Sequence, residues 1–159
     1  MMTDEQYMRL AIDEAKTSEK VGGAPIGAIM VKDGKVIAKG WSLVWPEKDP
    51  TAHGESNCIK AACKALQLLD LTDCTMYSTL ESCSMCLACA SWAGLSKVVF
   101  GAYREDIRPN PYEVVDYHAE AWAKKLTPPN GKTIKVVGGV LRKECAELMK
   151  NVENWTPQG

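Results

Sequence analysis

Residues 74–102 read CTMYSTLESCSMCLACASWAGLSKVVFGA. Residues 74–79 and 97–102 have the apolar, β-branched and aromatic make-up of buried strands. Between them, 84–93 is small, apolar and compatible with a helix. The same alternation extends outward in both directions. Upstream, Ile59, Ala62, Cys63 and Leu66 form one apolar helix stripe. Before it, loop residues run from Trp45-Pro46 to Asp49-Pro50. Two further apolar runs, 25–32 and 35–41, flank Asp33-Gly34, a two-residue hairpin signal. At the start, Thr3 and Gln6 have capping-box spacing. Met8, Ala11, Ile12 and Ala15 then recur at helical period, and Gly22-Gly23 closes the segment.

Downstream, Pro109 and Pro111 break the chain, a helix is expected near 112–125, and Pro128-Pro129-Asn130-Gly131 ends it. Residues 132–137 read as a strand. A last helix carries Leu141, Cys145, Leu148, Met149 and Val152 on one stripe. The order αββαβαβαβα implies an α/β fold of three layers, a sheet covered on both faces with an antiparallel hairpin at its start.

The chain has 159 residues, 46% apolar and 25% charged, enough for a single domain over 1–159 with a real core. No apolar run approaches the roughly 20 residues that span a bilayer, so no membrane role is expected. The opening MMTDEQYMRL is polar and acidic, unlike a secretory leader, which points to the cytoplasm. Lys and Arg number 19 against 20 Asp and Glu, for a net charge of −1. That balance argues against a nucleic-acid partner, since phosphate backbones select a basic excess. Seven cysteines are an odd count with no sign of export, so metal binding or buried thiols are better readings than disulfides.

One constellation stands out. His53-Gly54-Glu55 is followed by Cys83-Ser84-Met85-Cys86. An imidazole and two thiolates suit Zn²⁺, and three protein ligands leave a fourth position for water, as in catalytic rather than closed structural sites. Cys83 and Cys86 precede or open a helix, where residues three apart share a side and thiol pKa values fall. His53 and Glu55 are two apart, about 200° around a regular helix, so both face one cavity only near a helix entrance. Asp49-Pro50 has the form of a cap followed by proline, which places the entrance there. A neutral imidazole and two thiolates cancel the dication, so bound water is acidified less than by three histidines. Glu55 beside it is therefore assigned the general acid/base role, not a ligand role.

Blander readings exist for each piece. A lone CxxC is often a redox pair, and HxE recurs here as His118-Ala119-Glu120 with no CxxC after it, which reads as a solvated helix face. Cys89 extends the run to CxxCxxC, but the fourth cysteine of an iron–sulfur run is missing. Cys89 is also the candidate fourth ligand of a purely structural zinc.

HGE…SCSMC resembles the zinc signature H-x-E…P-C-x-x-C of the cytidine deaminase-like superfamily. KDGKVIAKG, DPTAHGE, TMYSTLESCSMCLACASWAGLSKVVFGA and GGVLRKECAELM are similar to its second hairpin strand, the lead into its zinc helix, its core and its last helix. The similar branch holds guanine, cytosine and tRNA adenosine deaminases. The resemblance implies a five-stranded mixed sheet flanked by helices, a homodimer, and a zinc-dependent hydrolase that releases ammonia from an amino-substituted heterocycle. It implies His53, Cys83 and Cys86 as ligands, Glu55 as the proton carrier to the ring nitrogen and then to the leaving amine, and the Cys83 N–H as a donor to the reacting oxygen.

Three positions depart from the family: Ser82 stands where it has proline, Ser42 where it usually has a ring-binding asparagine, and Gly54 where alanine is commoner. Trp92 matches a tryptophan of bacterial guanine deaminase and either stacks on a base or belongs to the core or a dimer interface. Trp155 either lids the site or anchors a tail. Glu105 and Asp106 either contact ring N–H groups or are solvated loop acids. The near-neutral charge ranks a small guanine-like purine slightly above cytosine and both above a polynucleotide. The alternatives are a tRNA adenosine deaminase and a catalytically weak zinc-binding relative acting as a binding module.

Overall fold

The computed structural model describes residues 1–107 and 113–152. Helix α1 (Asp4–Lys20) starts on the predicted capping box: the Thr3 hydroxyl accepts from Gln6 N, and the Gln6 side chain accepts from Thr3 N. It leads into the hairpin β1 (Gly27–Lys32) and β2 (Lys35–Trp41). Asp33 and Gly34 both have positive φ, 49° and 73°, the left-handed pair that a tight hairpin turn requires. A short helix α2 (Val44–Glu47) follows, then α3 (Gly54–Leu66), β3 (Cys74–Leu80), α4 (Ser84–Trp92) and β4 (Lys97–Ala102). Two short helices, α5 (Arg104–Ile107) and α6 (Ala119–Ala123), precede β5 (Lys135–Val137) and α7 (Arg142–Met149).

The five strands form one mixed sheet in the order β2-β1-β3-β4-β5. β1 is antiparallel to β2 and β3, whereas β3–β4 and β4–β5 are parallel. Side chains alternate across it as the pleat demands. Met30, Met76 and Val98 face a core shared with Cys58, Ile59 and Ala62 of α3, Leu87 and Ala90 of α4, and Ala119 and Ala123 of α6. Ile29, Val31, Tyr77 and Val99 face the other core, closed by Tyr7, Met8, Ala11 and Ile12 of α1 and Cys145 and Met149 of α7. This is the expected three-layer α/β arrangement.

Three boundaries differ from expectation, each for a local reason. Asp49-Pro50 does not open α3: the Asp49 carboxylate accepts from Thr51 N and Oγ1, 2.8 and 2.7 Å, closing a separate turn. The helix begins after His53, its N-cap. The helix expected near 112–125 shrinks, within the described residues, to α6, because Asp116 takes φ 56° and Ala119 N bonds to Glu81. β5 begins at Lys135, where pairing with Lys97 starts, rather than at 132.

Gly40 of β2 fixes the height of α3 above the sheet. A Cβ there would overlap the carbonyl of Gly54 and the N–H of Cys58. Gly40→Ala is therefore expected to push back the turn of α3 that carries Glu55. The cost is about 1–3 kcal/mol, read as a lower urea midpoint with an unchanged slope.

Candidate metal centre

Two helix N-termini meet at the carboxyl end of β3. His53 is the N-cap of α3 (φ −73°, ψ 159°) and Cys83 the N-cap of α4 (φ −68°, ψ 169°). The extended backbone at each cap turns the side chain across the helix end. Glu55 lies in the first turn of α3 and Cys86 in the first turn of α4. One donor atom each from His53, Cys83 and Cys86 lies within 4.8 Å of the other two. Cys83 Sγ is 3.5 Å from His53 Nδ1 and accepts from Cys86 N at 3.5 Å. Cys86 Sγ is 3.9 Å from Glu55 Oε2, so the carboxylate lines the same space.

The electrostatics follow from burial and from the two positive helix ends. The Cys83 thiol is held far below its usual pKa, first by the hydrogen bond from Cys86 and then by His53. Cys86 is pushed up by that same bond and by burial. Burial works against a charged His53, yet its hydrogen bond to Cys83 and the charge there outweigh it and raise its pKa. Burial, followed by the charge of Cys83, raises Glu55, which is 4% exposed. Three soft or borderline donors, convergent and poised for thiolate formation, fit Zn²⁺. Cys89 does not join this group; it is half-buried and packs against the α3–α4 core.

The other candidate contacts are Ser42, Trp92, Glu105, Asp106 and Trp155. Ser42 is buried and its backbone is used structurally: its N–H donates to Ile26 O and its carbonyl accepts from Ser18 Oγ at 2.7 Å. Trp92 is 79% exposed at the last turn of α4. It lies about 9 Å along the helix axis from Cys86, so within one chain it neither stacks in the metal cavity nor belongs to the core. Asp106 is not free for a ring: its carboxylate takes two hydrogen bonds from Arg142, 2.9 and 2.6 Å, and one from Tyr103 N. Glu105, largely exposed, also lies 3.6 Å from Arg142. His118 and Glu120 are exposed, as expected of a solvated face. Trp155 lies outside the described residues.

Four residues not singled out from sequence surround the cysteine loop: Glu81, Arg104, Glu113 and Tyr117. Glu81 is 3% exposed, and its oxygens accept from Arg104 N and Ala119 N. Its visible signal was an acid two residues before Cys83, at the end of the strand-like run 74–80. Glu113 gave none, because its partner Ser84 is 29 residues away.

The family described as the cytidine and deoxycytidylate deaminase zinc-binding region matches residues 1–102. A tRNA-specific adenosine deaminase of Buchnera aphidicola is 32% identical over 149 residues, 93% of this chain and 92% of that protein. The guanine deaminase of Bacillus subtilis is 40% identical over 106 residues, 66% and 68% of the two chains. A chloroplastic tRNA(adenine(34)) deaminase of Arabidopsis thaliana is 36% identical over 155 residues, and this chain spans only 12% of it. A solved structure from work on A-to-I editing by tRNA:A34 deaminases superposes with a TM-score of 0.74 at 31% identity, covering 90% of this chain and 98% of its own.

Proposed function

The chain belongs to the zinc-binding family of cytidine and deoxycytidylate deaminases, and on that footing we propose that it hydrolyses the exocyclic amine of a nucleobase, with adenine carried in tRNA as its substrate. The observation that carries the reaction is the convergence of His53, Cys83 and Cys86 with the buried Glu55 beside them. The expected guanine-like free base takes second place because several similar proteins that align over more than nine-tenths of this chain are tRNA-specific adenosine deaminases.

His53, Cys83 and Cys86 are the residues that would hold the metal. Zinc there supplies the Lewis acidity that makes water a nucleophile at neutral pH. Glu55 takes the proton that water gives up and delivers it to the ring nitrogen. A second transfer through the same carboxylate protonates the amine, so the carbon gains a C–O bond, loses its C–N bond and releases ammonia. A carboxyl group whose pKa is raised by burial suits this alternation. The N–H of Cys83, at the turn into α4, is the proposed donor to the reacting oxygen.

A free aminopurine is the second reading, favoured by the net charge of −1, which gives little attraction for a polynucleotide. The test measures ammonia from a tRNA transcript with adenosine at position 34 and from free adenine, guanine and cytosine. Turnover of the transcript alone supports the first reading, and turnover of a free base replaces it with the second. Bound zinc with no turnover of any of them leaves a binding module.

We also propose a homodimer that covers α4. Met85 and Trp92, 38% and 79% exposed, are seven residues apart and so share one face of that helix. Trp92→Glu is expected to yield monomers in sedimentation equilibrium; a monomeric parent protein would remove the proposal.

A further inference from the structure

The loop from Glu81 to Ser84 joins β3 to α4 and carries Cys83. The Ser82 side chain does nothing to fix it: its hydroxyl is buried and has no hydrogen-bond partner among the described residues. The grip comes from elsewhere in the chain. Tyr117 OH donates to the Ser82 carbonyl at 2.7 Å. Ser84 N and Oγ donate to the two oxygens of Glu113, at 3.1 and 2.7 Å. Both neighbours of Cys83 are thus tied, one on each side. Glu113 is itself fixed, since Val114 N donates to it at 2.8 Å and Arg104 Nε lies 3.8 Å away. Both of these side chains are nearly buried, at 13% for Arg104 and 10% for Glu113. Arg104 also donates to the Glu81 carbonyl at 3.4 Å, and its N–H to the Glu81 carboxylate.

We propose that Glu113 and Tyr117 are positioning residues for the metal: they hold the backbone on either side of Cys83 so that its sulfur stays in register with His53 and Cys86. This rests on the metal reading of the site. Glu113 satisfies the first free N–H of α4 while Cys83 Sγ takes that of Cys86. A second negative charge at this helix end would oppose thiolate formation, and Arg104 offsets it. Groups that orient ligands in this way typically change metal affinity about 10–100-fold when removed. A mere packing role would instead lower the stability of metal-free and loaded protein alike.

The experiment measures zinc affinity by competition with a chromophoric chelator, together with the thiolate-to-metal charge-transfer band of the Co²⁺-loaded protein. Glu113→Ala and Tyr117→Phe are expected to raise the zinc Kd about 10–100-fold and to alter the Co²⁺ band, with metal-free unfolding little changed. Glu113→Gln keeps one acceptor oxygen and is expected to recover part of the loss. Parental Kd and band in both variants overturn the proposal, as does a Kd loss matched by an equal loss of metal-free stability. Should Glu113→Ala fail to fold, Tyr117→Phe, which removes a single oxygen, decides. A parent protein that binds no zinc overturns the metal reading itself, and this inference with it.

Discussion

Glu55→Gln is expected to lower the rate of ammonia release by about 10²–10⁴-fold while one zinc per chain remains bound. The amide keeps the shape of a buried side chain, 4% exposed, so the fold and the metal ligands stay in place. What it lacks is a site for the proton that must leave water and reach the ring nitrogen and the amine. Zinc content, measured by elemental analysis beside the rate, separates this role from ligation. Unchanged turnover would remove Glu55 from the chemistry. The same variant carries a stability signature in metal-free protein. The native pKa of Glu55 is raised by burial and by Cys83. The unfolded chain therefore loses this proton first, and stability falls as pH rises above the ordinary carboxylate range. As pH rises above about 4.5, the group's ordinary value, the parent's urea midpoint is expected to fall relative to that of Glu55→Gln, which has no proton to lose.

What could be read from the sequence divides by the reach of the contacts involved. The cap of α1, the Asp33-Gly34 turn and the strands at 35–41 and 97–102 are set within a few residues, and all are where periodicity and turn chemistry place them. The metal donors were legible too, because each motif is compact and each opens a helix. Asp106 was misread because its partner Arg142 is 36 residues away. The segment around Tyr117 reads as a continuous helix, yet Glu113 and Tyr117 spend their polar groups on Ser84 and Ser82, and the helix yields to those bonds. Of the two readings of Trp92, its exposure favours the interface over stacking: an aromatic residue six positions past a ligand looks near in sequence, but the helix carries it along its axis away from the site. An exposed indole then points to a surface requirement rather than a cavity.

Cys86→Ser is expected to abolish both zinc retention and zinc-dependent stabilisation. The side chain is fully buried between Cys83 and Glu55. A serine hydroxyl there offers a hard oxygen that keeps its proton, where the thiol would lose its proton and offer a soft thiolate to the borderline-soft dication. In the parent, zinc that binds the folded state alone adds RT ln(1 + [Zn]/Kd), about 4 kcal/mol at a thousandfold excess over Kd. For a chain of this size that corresponds to a rise in Tm of roughly 8–16 °C. The variant is expected to show no such rise at the same zinc concentration and no ammonia release. Cys89→Ser is the matched control. Its sulfur is half-buried against the α3–α4 core, outside the convergent group, so it should keep the full increment and the activity. If the Cys89 variant loses zinc instead, the centre is a closed four-ligand structural site, water has no open position, and hydrolysis at this site is excluded. If Cys86→Ser keeps its zinc after dialysis against a chelator, the two-thiolate ligand set is wrong.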